Sequence, residues 1–224
     1  KEWKKNCDVE RLLGVSLTGQ MDNPALMNSE ALKALKSRVL RISRKASKLL
    51  GINVPVATTC VKPSGTVSQL VDAASGIHCR HNPYYIRTVR ADKKDPLAQM
   101  MVEAGFPVED DVVQPDHNYV FSFPMKAPEK AIFRTDITAI KQLEHWLIYQ
   151  RYWCEHKPSC TVSVKEPEWI EVGAWVYEHF DSISGIFWNT PLKKGSKRRG
   201  LFQRGEGCST DGDNNEVDLP HTIN

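Results

Sequence analysis

Residues 54–68 read Val54-Pro55-Val56-Ala57-Thr58-Thr59-Cys60-Val61-Lys62-Pro63-Ser64-Gly65-Thr66-Val67-Ser68. The β-branched run predicts a buried strand over residues 54–61. Pro63-Ser64-Gly65-Thr66 then predicts a tight turn, with a short helix leaving it from about Thr66. At such a corner the first helical amides lack internal partners, and the macrodipole adds partial positive charge, so an anion can bind there. Gly65 lets the backbone approach a ligand closely. Ser64, Thr66 and Ser68 add hydroxyls, and Lys62 supplies a charge. The same residues suit plain capping of the helix by Ser64 or Thr66, and local pattern leaves both readings open. No Walker sequence GxxxxGK[ST] is present.

Elements alternate on both sides of the corner. Upstream, residues 11–19 (RLLGVSLTG) predict a buried strand ending at Gly19. From Asn28 and Ser29, the residues Leu32, Leu35, Val39, Ile42, Ala46 and Leu49 recur at helical spacing until Gly51. That stripe predicts a helix packed on a sheet, with its lysines and arginines solvated. Downstream, residues 84–90 alternate like a half-exposed strand, and Asp95-Pro96 opens a helix that stops at Gly105. Residues 119–123 form a short strand that Pro124 ends. A long helix over about 135–155 carries Ile137, Ile140, Leu143, Leu147 and Trp153. A strand at 160–164 follows, and Pro167 opens a helix to about Phe180. This alternation predicts an α/β architecture with parallel neighbours. After residue 186 the periodicity ends. A basic cluster (Lys193, Lys194, Lys197, Arg198, Arg199, Arg204) precedes an acidic, Gly- and Asn-rich end, and residues 187–224 read as a disordered tail.

The 224 residues are 41% hydrophobic and 25% charged, the balance of one soluble domain, or one domain with a tail. No apolar run approaches the ~20 residues needed to cross a bilayer and no signal peptide opens the chain, so no membrane association and a cytoplasmic location are expected. A net charge of +3 is too small to argue for nucleic acid. The basic cluster has no motif and only Phe202 among it, so no direct nucleic-acid binding is expected. Six cysteines (Cys7, Cys60, Cys79, Cys154, Cys160, Cys208) are scattered, which predicts reduced thiols in a cytosol. Cys154, His156 and Cys160 match no common zinc spacing and read as two buried thiols and a surface histidine. The first residue is Lys1, which predicts a fragment of a longer chain or a processed product.

Residues 75–83, SGIHCRHNP, place His78, Arg80 and His81 shortly after the corner. Arg80 has the geometry to grip a phosphate bidentately, or a place in a solvated loop. His78 and His81 suit either acid–base work or plain hydrogen bonding, with no carboxylate at a readable spacing.

PSGTVSQLVDAASGIH, with LTGQMDNP before it and HNPYYIRTVR after it, resembles the catalytic subunit of ribonucleotide reductases, in particular the adenosylcobalamin-dependent (class II) branch. WCEHKPSCTVSVKEPEWIEVGAWVYEHFDSISGI resembles the C-terminal part of the same branch, so the likeness runs over roughly residues 10–186. It implies the later strands and helices of a ten-stranded α/β barrel over 1–186, followed by a divergent tail over 187–224. It also implies that Pro63, Ser64, Gly65, Thr66, Val67 and Ser68 hold the substrate's phosphates, with Lys62, His78 and Arg80 as neighbouring phosphate or loop contacts. The reaction implied is conversion of ribonucleotides to 2′-deoxyribonucleotides for DNA synthesis. Adenosylcobalamin would generate a thiyl radical, and a thioredoxin-like dithiol would return the electrons. A nucleoside triphosphate effector would bind outside these residues. Triphosphate substrates are expected over diphosphates.

The family's radical cysteine sits in an Asn-Pro-Cys-x-Glu loop. Here Asn23-Pro24 and Asn82-Pro83 precede Ala25 and Tyr84, so that loop is expected upstream of Lys1, and the chain is expected not to turn over alone. No cysteine present gains a catalytic role by motif. Cys79 stands where the family commonly has proline, either as a tolerated substitution or as a redox thiol. Cys208 stands alone where a shuttling cysteine pair is implied, and a changed reading frame would explain such a tail. The competing expectation is a non-catalytic nucleotide- or phosphate-binding module, or the remnant of a decayed gene.

Overall fold

The structure is a computed structural model that describes residues 1–23, 28–65 and 67–189. Thr66, Cys208, the basic cluster and the tail expected beyond Asn189 lie outside the described residues. In chain order the elements are α1 (Glu2–Glu10), β1 (Val15–Ser16), α2 (Ser29–Leu50), β2 (Thr59–Cys60), α3 (Val67–Leu70) and β3 (Tyr84–Asp92). Then come α4 (Pro96–Glu103), β4 (Val108–Asp110), β5 (Asn118–Lys126), α5 (Ala139–Tyr152), β6 (Thr161–Ser163), α6 (Trp169–Glu178) and β7 (Phe187–Asn189). None of the described helices is long and apolar enough to cross a membrane.

The chain divides into two compact units. The first holds residues 1–80 and the described residues from 130 onward, with β1 parallel to β2 and β6 parallel to β7. Its core is built around α5, where Leu143, Trp146, Tyr149 and Trp153 are fully buried with Val61, Ile77, Val162, Val164 and Leu32. The buried indoles find acceptors: Trp146 Nε1 donates to the Pro158 carbonyl (3.1 Å) and Trp153 Nε1 to that of Cys60 (2.7 Å). These bonds tie α5 to the loop before β6 and, at its C-terminal end, to β2.

The expected caps form where the sequence signals them. Asn28 caps α2, and Gly51 closes it in the left-handed region at φ 64°. Asp95 caps α4 ahead of Pro96, and Gly105 follows with φ 77°. Thr138 caps α5, which therefore starts a few residues later than expected.

Other expectations need correction. The strand over 54–61 contracts to Thr59–Cys60, with residues 58–61 buried but Val54 and Val56 exposed. The strand over 11–19 contracts to the exposed pair Val15–Ser16. Of the α2 stripe, Leu32 is buried and Val39 packs on the core, while Leu35, Ile42 and Leu49 are exposed. The face of α2 that packs meets α5, not a broad sheet. Helix α1 buries no residue, so no apolar period announced it. Phe187–Asn189, read as the start of a structureless tail, pairs with Thr161–Ser163 as β7.

The second unit, residues 81–129, is an antiparallel sheet in the order β3-β5-β4, with α4. Parallel neighbours were expected throughout. The half-exposed alternation at 84–90 is instead the mark of an antiparallel sheet with one wet face. Pro124 does not end β5, because it pairs with Ile86 inside the strand. The Ser122 amide donates towards Pro107, on the side away from β3 (3.3 Å). Two residues on, the Pro124 nitrogen faces the same side, beyond the last β4 pairing at Phe121, where no ladder bond is required.

Candidate functional site

The corner is held by three segments of the first unit, residues 16–22, 61–68 and 72–80. Ser64 donates its amide to Ser75 Oγ (2.8 Å), and its carbonyl accepts from buried Ser68 Oγ (2.6 Å). Ser68 is thus given to the turn itself. Gly65 is exposed, Pro63 and Ser64 are half-buried, and Val67 is exposed at the start of α3. Helix α3 has only four residues, so little macrodipole accumulates, and an anion here would rely on local amides and hydroxyls.

Gly76 stands at φ 53°, and a Cβ on it would lie 3.0 Å from the Lys62 carbonyl oxygen. Glycine is required there by conformation and by space, and it presses the 72–80 loop onto the entry to the corner. Thr18 Oγ1 donates to the Ala74 carbonyl (3.0 Å), accepts from the Gly76 amide (3.0 Å) and lies 3.4 Å from Ser64 Oγ. The two stretches that carry the resemblance, LTGQMDNP and PSGTVSQLVDAASGIH, are therefore one interlocked structure.

Arg80 is placed differently from the phosphate grip considered for it. Its side chain is 6% exposed and pairs with Asp22, Nε to Oδ1 at 2.8 Å and Nη2 to Oδ2 at 3.0 Å. Nη2 also donates to the Asp72 carbonyl (2.9 Å), while Asp22 Oδ2 accepts the Ala74 amide (2.7 Å). A bidentate pair this buried is a structural clamp. Lys62 is likewise drawn aside, since its ammonium donates to the Lys157 carbonyl (2.9 Å) and Ser159 Oγ (3.0 Å).

His78 Nδ1 lies 3.0 Å from the Ser75 carbonyl, and Nε2 accepts the Thr161 amide at 2.9 Å. Those partners put the proton on Nδ1 and leave Nε2 as an acceptor, tying β6 to the loop. His81 belongs to the second unit.

Burial pushes the thiols of Cys79, Cys154 and Cys160 up to about 12, reinforced by Asp136, Cys60 and Cys79 respectively. At neutral pH these are protonated, poorly nucleophilic sulfurs, which disfavours Cys79 as a redox thiol. His156 Nε2 bonds the Leu13 carbonyl (2.7 Å), and among the described residues no group of three His, Cys, Asp or Glu could hold a metal ion.

Sequence reasoning missed Thr18, Gln20, Asp22, Ser75 and Tyr149. The bonds that carry them to the corner and across the core span up to 129 positions, so no local period announces them.

The fold and the interlocked corner define a class before any relative is named: an α/β unit with a Pro-Ser-Gly corner braced from two sides. It matches the crystal structure of a B12-dependent (class II) ribonucleotide reductase with a TM-score of 0.73, at 22% identity, over 88% of this chain and 32% of that one. The fold is therefore that of about a third of such a protein. In sequence, the chain is 35% identical over 122 residues to the adenosylcobalamin-dependent ribonucleoside-triphosphate reductase of Euglena gracilis, covering 54% of this chain and 17% of that protein. It is 32% identical over 139 residues to the enzyme of the same name from Lactobacillus delbrueckii subsp. bulgaricus (60% and 18%). With the Lactobacillus gasseri enzyme the match is 26% over 171 residues (73% and 23%). The similarity expected from the motifs is thus found in sequence and in fold. The chain spans about a fifth of the length of these curated relatives. No family model matches it.

Proposed function

We propose that the chain is the later portion of the catalytic barrel of an adenosylcobalamin-dependent ribonucleotide reductase, and that its corner at Pro63, Ser64, Gly65, Thr66, Val67 and Ser68 receives the substrate's phosphates. The observation that carries this is the lock between LTGQMDNP and the corner, through Thr18 and Gly76. At the turn Gly65 is exposed and Ser64 half-buried, with the Ser64 amide and the Ser68 hydroxyl bonded within the corner. Lys62, His78 and Arg80 shape the corner and are not themselves phosphate ligands in this account.

Within the longer protein the substrate is a ribonucleoside triphosphate by preference, as the relatives' names say of those enzymes. A thioredoxin-like dithiol would supply electrons and a nucleoside triphosphate effector would bind outside this chain, in a cytoplasmic setting. Adenosylcobalamin supplies the radical chemistry of that enzyme. A groove of about 470 Å³ lies between α1 and α2, and no cysteine of the chain stands in an Asn-Pro-Cys-x-Glu loop, so none is assigned a part in that chemistry in this account. The chain's part is to bind and orient, and it does not reduce ribonucleotides alone.

Equilibrium binding of cytidine triphosphate at low ionic strength tests the site. Binding should be displaced by inorganic triphosphate, unaffected by cytidine, and weakened about tenfold in Ser64→Ala, the scale of one hydrogen bond to a charged group. Competition by cytidine, with indifference to inorganic triphosphate, would refute it.

A further inference from the structure

A polar line crosses the core towards the corner, and neither the motifs nor the relatives assign it a role. Tyr149, in the last turn of α5, is fully buried and donates its hydroxyl to Gln20 Oε1 at 2.6 Å. Gln20 is 5% exposed; its Nε2 donates to the Thr18 carbonyl (2.9 Å) and its amide to the Gly76 carbonyl (3.2 Å). Gln20 therefore grips Thr18 and Gly76, the two residues that brace the corner. Thr18 has one hydroxyl proton, and the Ala74 carbonyl takes it. In the contact between Thr18 Oγ1 and Ser64 Oγ, the donor is then Ser64. At 3.4 Å that bond is long, so it aims the Ser64 hydroxyl while leaving it cheap to release.

We propose that Tyr149 and Gln20 are positioning residues for the phosphate site: they fix Thr18, and Thr18 parks the Ser64 hydroxyl where it can turn onto an incoming phosphate. This rests on the proposed reading of the corner. A Gln whose two ends and backbone amide are all committed has one orientation, and buried networks of this kind rigidify what they touch. The bland alternative is that Tyr149 merely satisfies its own hydroxyl in the core.

The test compares affinity for inorganic triphosphate with thermal stability in the 224-residue chain. Tyr149→Phe should weaken binding about tenfold at a temperature where the variant is fully folded. Trp146→Phe removes another buried core hydrogen bond, to the Pro158 carbonyl, and should lower the melting temperature with no change in affinity. Thr18→Val should reproduce the Tyr149→Phe binding defect, and Thr18→Ser should restore affinity, which keeps the test decisive should Tyr149→Phe not fold. Unchanged affinity in folded Tyr149→Phe, or equal losses in Tyr149→Phe and Trp146→Phe, would overturn the positioning role alone. Failure of the unsubstituted chain to bind triphosphate would remove the phosphate site, and the positioning role with it.

Discussion

Asp22 does more for the corner than any residue singled out in the sequence for its charge. It neutralises Arg80, which is 6% exposed, and accepts the Ala74 amide. Removing Asp22 takes the bidentate partner from a buried guanidinium that would then lean on the exposed Asp72 carboxylate, 3.6 Å away, so Asp22→Ala should cost about 3 kcal/mol in chemical denaturation, and a loss below about 1 kcal/mol would contradict the clamp. His145 is the second case. It is 5% exposed, its ring nitrogens have no partner among the described residues, and its ring meets Tyr149 edge-on at 4.9 Å. Burial lowers its pKa from 6.5 to about 4. Above pH ~6.5 the ring is neutral folded or unfolded, and stability is at its full value. As pH falls from about 6.5 to about 4, the unfolded chain takes up a proton that the folded one refuses. Stability should then fall by roughly 3 kcal/mol through this group. The parent's denaturation midpoint should fall relative to that of His145→Phe as the pH drops through that window; parallel curves would show that the ring is not buried neutral.

At the scale of elements, the helix caps were legible, because Asn28, Gly51, Asp95-Pro96 and Gly105 act on their own neighbours. Strand lengths were not, since a β-branched run states a propensity while pairing decides where the strand ends, as at Thr59–Cys60. Of the site, the turn and its hydroxyls were readable in Pro63–Ser68, but the braces were not: Ser75, Thr18 and Gln20 reach the corner or its supports only after the chain has folded. Arg80 shows the same limit, since sequence gave its charge and not its partner. The 72–80 loop carries the prediction proper to this scale. Gly76→Ala forces a side chain into φ 53° with its Cβ at 3.0 Å from the Lys62 oxygen. It should cost about 1–3 kcal/mol and loosen the corner, seen as faster amide exchange at Ser64. A fully stable variant with unchanged exchange would show that the loop does not press on the turn.

For the whole molecule, many apolar side chains lie open, among them Leu12, Leu49, Ile170, Tyr177 and Phe180. The chain spans about a fifth of its curated relatives, and its described sheets have two or three strands. These fit the proposal that it works as a portion of a larger barrel, contributing a substrate seat while the radical loop lies on other residues. The central claim, that the seat is the Pro63–Ser68 corner, is tested most directly by amide-resolved NMR of the labelled chain titrated with cytidine triphosphate. The account predicts saturable shifts centred on the amides of residues 64–68 and on Gly76, reproduced by inorganic triphosphate. Shifts centred instead on the groove between α1 and α2, or on the basic cluster from Lys193 to Arg204 with the corner silent, would contradict it.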